Sequence, residues 1–260
     1  MLLLITKMLF ASECIDYKDP AFAHLPLTDR TQRWTEPPRT TRAGHARFTQ
    51  MNWVEADWID FYWCRLHHEE DVAVQSALAE LIHRTGPFDT LSSEDILNSY
   101  NNFRKEQTEQ SIPLRSVLLE WIKSAPPSLA LELIKIGVQE DNTELRATAL
   151  RASGRIQIEN WSEEQKDLLT QILKIGIQDS APDVQAAATR SAYWLDLEAT
   201  TAFIPPLLQS TDPYVRLCAL RALEHLDLEL AQQKALNLEM VTDPDQKVAR
   251  LAQKVLATNP

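Results

Sequence analysis

A helical pattern of apolar residues recurs six times along this chain, and it constrains the fold more than any other feature. In "DPYVRLCALRALEHL" (212–226), Val215, Ala219, Ala222 and Leu223 lie at i, i+4, i+7 and i+8, on one face of an α-helix. The same stripe begins at positions 74, 114, 145, 184 and 248, at intervals of 31 to 40 residues. Intervals of this length are typical of repeats built from a pair of helices.

The segments between the stripes repeat as well. "LIKIGVQED" (133–141) and "ILKIGIQDS" (172–180) match at an offset of 39 residues, which is also the offset between the stripes that begin at Leu145 and Val184. Each repeat therefore contains an outer helix and a second helix that carries the stripe. Because one helix pair cannot bury its apolar face alone, neighbouring pairs stack. The pattern predicts an all-α fold, a right-handed α-solenoid of about six helical pairs.

Local signals place several helix boundaries. Asp212-Pro213 and Asp243-Pro244 each predict an N-cap followed by proline at the first helical position. Ser162 with Gln165 is typical of a capping box. Pro205-Pro206 is expected to split the outer helix of its repeat, since proline removes a backbone donor.

The stretch "PPLLQSTDPYVRLCALRALEHL" resembles a HEAT repeat of the short kind found in phycobilisome-lyase-like proteins, with the pattern L-L-x-x-x-D-x-x-V-R-x-x-A-x-x-A-L. The resemblance is close over 199–226, good over 127–154 and 162–195, and weaker over 53–84, 92–124 and 228–257. It implies an α-solenoid but no single function, because HEAT-like proteins serve as scaffolds, enzyme subunits and nucleic-acid binders. We expect an irregular N-terminal extension or cap over 1–50 and a HEAT-like repeat domain over 51–260.

Composition narrows the classes of partner. The formal net charge of −11 disfavours nucleic acid and phospholipid and favours a protein with a basic surface. Three cysteines without a C-x-x-C pair are typical of a reduced, cytoplasmic protein. The apolar start "MLLLITKMLFASEC" is interrupted by Lys7 and is too short to span a membrane.

Two segments near the start of the repeats carry reactive or aromatic side chains. "CRLHHEED" (64–71) places Cys64, His67 and His68 close together, but no second cluster completes a four-ligand site, so no metal or other cofactor is expected. "WVEADWIDFYW" (53–63) is rich in aromatic residues and is interpreted as a cap on the open end of the array. No nucleophile elbow, P-loop, dinucleotide fingerprint or H-E-x-x-H occurs in the sequence, which favours a non-catalytic protein.

Two series of charged residues follow the register of the stripe. Arg115, Arg146 and Arg216 stand one residue after the stripe begins. The resemblance to HEAT repeats implies that each pairs with an aspartate of its own or the adjacent repeat. The second series, here called the charged row, lies six residues after each stripe begins. It consists of Glu80, Glu120, Arg151, Arg190, Arg221 and Lys254. We expect a partner to contact this row, with Tyr193 beside Arg190; the alternative is a solvated face of unrelated charges.

Three functions from different classes fit these features. The leading hypothesis is a non-catalytic adaptor, scaffold or inhibitor, such as a toxin-neutralising or assembly factor, that binds another protein through its concave or convex face. A nucleic-acid-binding module or HEAT-like alkylpurine DNA glycosylase is the second, and its analogous residues would be Arg151, Arg190, Arg221, Tyr193 and Trp194. A bilin lyase or chaperone-like subunit is the third, by resemblance of the repeats alone.

Overall fold

The structure is a computed structural model that describes residues 92–106 and 111–258, together with isolated positions between 63 and 82. Every regular element in these ranges is an α- or 3-10 helix, and no strand occurs in them. The prediction of an all-α fold is confirmed. None of the described helices is both long enough and apolar enough to cross a bilayer. The predicted extension over 1–50 lies outside the described residues.

The chain divides into two compact units, Met1–Leu118 and Leu119–Pro260. In the first unit, helix α1 spans Ser93–Glu106, and α2 begins at Ile112 and continues to Glu120 in the second unit. Ser92 caps α1, because its hydroxyl accepts a hydrogen bond from the amide of Asp95 at 3.1 Å.

The second unit contains the repeats that the structure describes in full. A 3-10 turn, Trp121–Ser124, follows α2. The α-helices that follow are α3 (Pro127–Gly137), α4 (Thr143–Ser153), α5 (Glu163–Ile177), α6 (Pro182–Trp194), α7 (Pro213–Leu226), α8 (Leu228–Asn237) and α9 (Gln246–Ala257). Helices α4, α6, α7 and α9 carry the repeated stripe and pack in succession, α4 on α6, α6 on α7 and α7 on α9. The outer helix α3 likewise packs on α5.

The stripe forms the core of this unit. All four stripe positions are buried in α4, α6 and α7, and in α9 three of the four are buried. The fourth, Leu256, was expected to be buried and is 37% exposed. Helix α9 is the last helix that the structure describes, so within that part of the chain no further repeat covers Leu256.

Two glycines explain why the outer helices repeat the sequence "KIG". A Cβ atom on Gly137 would lie 2.5 Å from the Cβ of Ala149, and one on Gly176 would lie 2.8 Å from the Cβ of Ala188. Ala149 and Ala188 occupy the same stripe position, i+4, in α4 and α6. Glycine costs a helix about 1 kcal/mol relative to alanine. It is nevertheless required here, because any side chain would force the outer helix away from its second helix.

Most of the predicted boundaries are confirmed. Asp212 caps α7 by accepting from the amides of Tyr214 and Val215, and Pro213 is the first helical residue. Ser162 and Gln165 form both bonds of a capping box at the start of α5. Instead of one outer helix around Pro205-Pro206, the chain forms two 3-10 segments, Glu198–Phe203 and Pro205–Gln209.

The predicted cap of α9 is wrong by two residues. The N-cap is Asp245, whose carboxylate accepts from the amides of Lys247 and Val248 at 2.8 and 3.2 Å. Asp243 lies outside the helix, where its carboxylate binds the guanidinium of Arg216 and accepts from the amide of Asp245. The N-cap of α9 stands three residues before its stripe, as Asn142 does in α4 and Asp212 does in α7.

Candidate functional site

In α4 and α7, the arginine one residue into the stripe joins its repeat to the next. Arg216 binds Asp243 of the following repeat through two parallel hydrogen bonds, Nη2 to Oδ1 at 2.7 Å and Nε to Oδ2 at 2.8 Å. Its Nη1 donates to the backbone carbonyls of Ser210 and Thr211 at 2.8 and 3.3 Å. Four of the five guanidinium N–H groups are thereby bonded within the fold, which confirms pairing of this arginine with the adjacent repeat.

Arg146 makes the same set of contacts two repeats earlier. Nε and Nη2 donate to the two oxygens of Asp179 at 2.8 and 3.1 Å, and Nη1 donates to the carbonyls of Glu140 and Asp141 at 2.9 Å each. Both pairs are shielded, with side-chain exposures of 8 to 16%. We call the Arg146–Asp179 and Arg216–Asp243 pairs the inter-repeat ladder.

Between these two pairs, the described residues make no equivalent bond from α6 to the following repeat. Gln185 takes the arginine position in α6, and its Nε2 donates to the carbonyl of Asp179 at 2.7 Å. In the following repeat Ser210 stands where Asp179 and Asp243 stand in the others. The two changes match, since an aspartate opposite glutamine would be a shielded carboxylate without its cation.

The Arg216–Asp243 pair also shifts the pKa values of its own two side chains. The hydrogen bond from Arg216, followed by one from the amide of Asp245, holds the pKa of the Asp243 carboxyl below its usual value against the opposing effect of burial. The pKa of Arg216 is raised, first of all by that same hydrogen bond. The pair is therefore fully charged at neutral pH.

Part of the charged row lines a cleft instead of joining one repeat to the next. An open cleft of about 670 Å³ lies along α6, α7 and α9. Its lining includes three of the predicted row residues, Arg190, Arg221 and Lys254, and the predicted Tyr193. The other lining residues are Trp194, Tyr214, Leu217, Cys218, Glu224 and His225. Glu120 and Arg151, also predicted, do not line this cleft.

The row residues on either side of Arg190 and Arg221 are already paired with side chains of opposite charge. The guanidinium of Arg151 binds Glu144, and the carboxylate of Glu120 accepts from Arg155 at 3.3 Å. At the other end, the ammonium of Lys254 lies 2.8 Å from a carboxylate oxygen of Glu224, the only carboxylate that lines the cleft.

The two arginines in the middle of the row have no carboxylate partner in the described part of the chain. Arg190 donates one hydrogen bond, from Nη1 to the hydroxyl of Tyr214 at 3.0 Å. Arg221 is exposed and makes no hydrogen bond or ion pair with any described residue. The cleft therefore concentrates positive charge at Arg190 and Arg221.

Aromatic rings stand beside these two cations. The ring of Tyr193 meets the ring of Trp194 edge to face, with centroids 5.2 Å apart, and meets the imidazole of His225 in the same way at 4.8 Å. Trp194 is 63% exposed and Tyr214 is 47% exposed. Large rings left this accessible in a cleft offer flat surfaces for stacking.

Cys218 lies at the base of the cleft and is 7% exposed. Burial raises the pKa of its thiol, although a hydrogen bond with Tyr214 and the charges of Arg190 and Arg221 act in the opposite direction. The thiol is therefore neutral at physiological pH and contributes to the cleft as a small apolar group.

The sequence analysis did not identify Tyr214 and His225 as part of the site. Tyr214 immediately precedes its stripe, where the other three stripe helices α4, α6 and α9 have Glu144, Asp183 and Lys247. An aromatic residue at an otherwise charged position was the signal that could have revealed it. His225 lies near the end of α7 and carried no such signal.

The cleft can bind an anionic group together with a flat or apolar group. Its arginines offer charge-assisted donors, and its rings offer stacking surfaces. Among the residues that the structure places, no cluster of three or more His, Cys, Asp or Glu side chains could hold a metal ion. The Cys64, His67 and His68 cluster lies outside those residues, as does most of the aromatic segment 53–63.

No family model matches the chain, and no curated protein matches it. Two solved structures that resemble it are crystal structures of engineered proteins from the Northeast Structural Genomics Consortium. One has a TM-score of 0.50 at 17% identity and covers 88% of this chain and 66% of that protein, so the chain spans just under two thirds of its length. The other has a TM-score of 0.41 at 15% identity and covers 88% of this chain and 94% of that protein. At such identity the first likeness concerns the helical fold alone.

Proposed function

We propose that this chain is a HEAT-like, right-handed α-solenoid that acts as a protein-binding adaptor, scaffold or inhibitor. Support for the solenoid comes from the second helices, which pack in succession, and from the two ion pairs of the ladder, each of which joins a repeat to the next in the same register. An array of this kind presents side chains at regular intervals along an extended surface.

The cleft along α6, α7 and α9 is the proposed contact surface. The observation that carries this proposal is the contrast in how arginines are used. The guanidinium groups of Arg146 and Arg216 bind aspartates within the fold. Arg190 and Arg221 have no carboxylate partner among the described residues, and they lie beside three exposed or half-exposed rings. Tyr, Trp and Arg are also the residues that most often dominate binding energy at protein interfaces.

The charge of the whole chain bears on the partner. The chain carries a formal net charge of −11, and the cleft is a positive site within it. A partner that fits both features has a basic surface around an acidic element that enters the cleft. Such complementarity accelerates encounter more than it tightens the final complex.

The test begins with affinity capture from native extract, and the captured protein is then purified and its association rate measured. The double reversal Arg190→Glu with Arg221→Glu should slow association by at least tenfold at low salt. The matched control is Lys247→Glu with Arg250→Glu, which changes the net charge equally at exposed positions of α9 outside the cleft. If both double variants slow association equally, the cleft is not the contact surface.

A second candidate function, nucleic-acid binding of the alkylpurine glycosylase type, is favoured by one observation. Four of its five expected residues, Arg190, Arg221, Tyr193 and Trp194, line the same cleft. The net charge of −11 opposes it. An electrophoretic shift of single- and double-stranded DNA at low and moderate salt tests this function directly.

A further inference from the structure

We infer that the cleft takes an extended acidic segment of the partner, with two carboxylates about three residues apart and an aromatic side chain between them. This inference rests on the proposed function and specifies what the protein-binding surface recognises. It follows from three properties of the cleft: its unpaired cations, their spacing, and the rings beside them.

The local charge is positive although the chain is acidic. Arg190 and Arg221 have no carboxylate partner among the described side chains, and Lys254 already holds Glu224. Exposed charges farther than about 8 Å away are largely screened at physiological ionic strength. An incoming carboxylate within hydrogen-bonding distance of a guanidinium therefore responds to Arg190 and Arg221 rather than to the net charge of the molecule.

The spacing of the two arginines fits a short length of extended chain. They occupy the same register position on α6 and α7, which pack directly against each other. Packed helices lie about 8–10 Å apart. An extended peptide in the polyproline II conformation advances about 3.1 Å per residue with three residues per turn, so side chains three positions apart lie on the same side. Two acidic residues separated by three positions therefore span the distance between the arginines.

The rings account for the aromatic side chain. Tyr193, Trp194 and Tyr214 all line the cleft, and the hydrogen bond from Arg190 fixes the hydroxyl of Tyr214. Trp194 is 63% exposed, so it is free to pack against an incoming ring. Aromatic pairs gain energy beyond the area that they bury.

The neutralised ends of the row favour a short acidic peptide over a nucleic-acid strand. A strand follows a continuous track of cations along its backbone. Here the positive charge stops on both sides of the middle, because Glu144 binds Arg151 and Glu224 binds Lys254. Two free guanidinium groups suit two carboxylates better than a series of phosphates.

The experiment measures binding of capped, fluorescein-labelled peptides to the full chain by anisotropy and by NMR. The probe is GSEGFEGS. Its controls are GSKGFKGS, in which lysines replace the glutamates, GSEGAEGS, in which alanine replaces the phenylalanine, and a ten-nucleotide oligothymidine. We expect the probe to bind at least tenfold more tightly than each control, and to weaken as salt is raised.

Two double variants test whether the probe binds in the cleft. Folding measurements show whether a loss of binding comes from a loss of structure. Arg190→Glu with Arg221→Glu should abolish probe binding, whereas Lys247→Glu with Arg250→Glu should leave it within twofold of wild type. Circular dichroism and thermal melting confirm that both variants are folded. Should the first double variant fail to fold, Trp194→Ala, at an exposed position, should still weaken the probe at least threefold.

The outcomes separate the inference from the proposed function. Equal binding of the probe and either control peptide overturns the inference, as does tighter binding of oligothymidine, which would favour the nucleic-acid function. If the probe does not bind but the double reversal still slows the natural partner, the inference fails and the proposed function stands. If neither the probe nor the partner responds to the double reversal, both fail.

Discussion

Arg216 and Arg221 lie five residues apart on helix α7, and the molecule uses them in opposite ways. Arg216 points along the edge where repeats meet and makes two bonds to Asp243 and two to backbone carbonyls. Arg221 lies in the cleft, exposed and without a bond to any described residue. The position of an arginine within the repeat, and not the residue type, therefore decides whether it stabilises the fold or remains available at the surface.

A similar distinction holds one repeat earlier, with a different residue at the ladder position. On α6, Gln185 bonds the carbonyl of Asp179 in its own repeat, whereas Arg190 lines the cleft. The ladder position thus tolerates a neutral residue when its partner changes as well. In both helices the cleft position keeps its arginine, although nothing described in the fold requires that charge.

The largest effect should come from a charge placed in the packing between the two regions. Ala219 is fully buried in the stripe of α7, and Ala219→Asp would bury a carboxylate without a partner. This costs several kcal/mol, and we expect the variant to be unfolded or severely destabilised. Urea denaturation followed by circular dichroism measures it. A melting temperature within a few degrees of wild type would show that the stripe is wrongly placed.

Replacing Arg216 of α7 should cost less stability than Ala219→Asp, but more than replacing Arg221 of the same helix. Arg216→Ala leaves Asp243, 8% exposed, without its cation, and we expect the free energy of unfolding to fall by about 3 kcal/mol. Arg221→Ala is the matched control on the same helix, and it should change stability by less than about 0.5 kcal/mol. Equal losses for the two variants in urea titrations would contradict the division between ladder and cleft.

The smallest effect concerns pH. Because the folded pKa of Asp243 is depressed, its contribution to stability is fully present above the unfolded value of about 3.9. It is lost as the pH falls through the folded pKa. The stability difference between wild type and Asp243→Asn should therefore shrink as the pH falls below about 4.

The control for the pH measurement is Asp183→Asn. It removes an exposed carboxylate of α6 that makes no hydrogen bond with the described residues, so its stability should follow that of wild type across the same range. Denaturant titrations from pH 7 to pH 2.5 provide both comparisons. A difference for Asp243→Asn that stays constant with pH would show that its charge does not contribute.

Local patterns in the sequence were sufficient to predict the helices and their buried faces. The stripe at i, i+4, i+7 and i+8 predicted burial in α4, α6 and α7, because helical periodicity alone decides which side chains share a face. The cap of α9 was wrong because the prediction relied on the Asp-Pro pair, whereas the register places the cap three residues before the stripe, at Asp245. That Asp243 binds Arg216 instead depends on a contact between residues 27 positions apart in sequence.

The cleft could be predicted only in part, for a similar reason. Their shared position in the repeat predicted that Arg190, Arg221 and Lys254 lie along one surface of successive second helices, and all three line the cleft. Their charge balance depends on contacts distant in sequence, such as Lys254 with Glu224 thirty residues away. A sequence pattern therefore indicates which residues share a surface, but not which charges remain available on it.

The gap in the ladder between α6 and α7 has a consequence for how such an array can lengthen or shorten during evolution. Each ion pair depends on two neighbouring repeats, one with Arg and the next with Asp, whereas Gln185 and Ser210 occupy these positions at the gap. Loss of the repeat that contains α5 and α6 would place Arg146 opposite Ser210, and a shielded guanidinium would have no carboxylate. Duplication of that repeat would place Gln185 opposite a second copy of Asp179, and a shielded carboxylate would have no cation. The repeats are therefore not interchangeable, and their order along the chain is itself encoded in the pairs that join them.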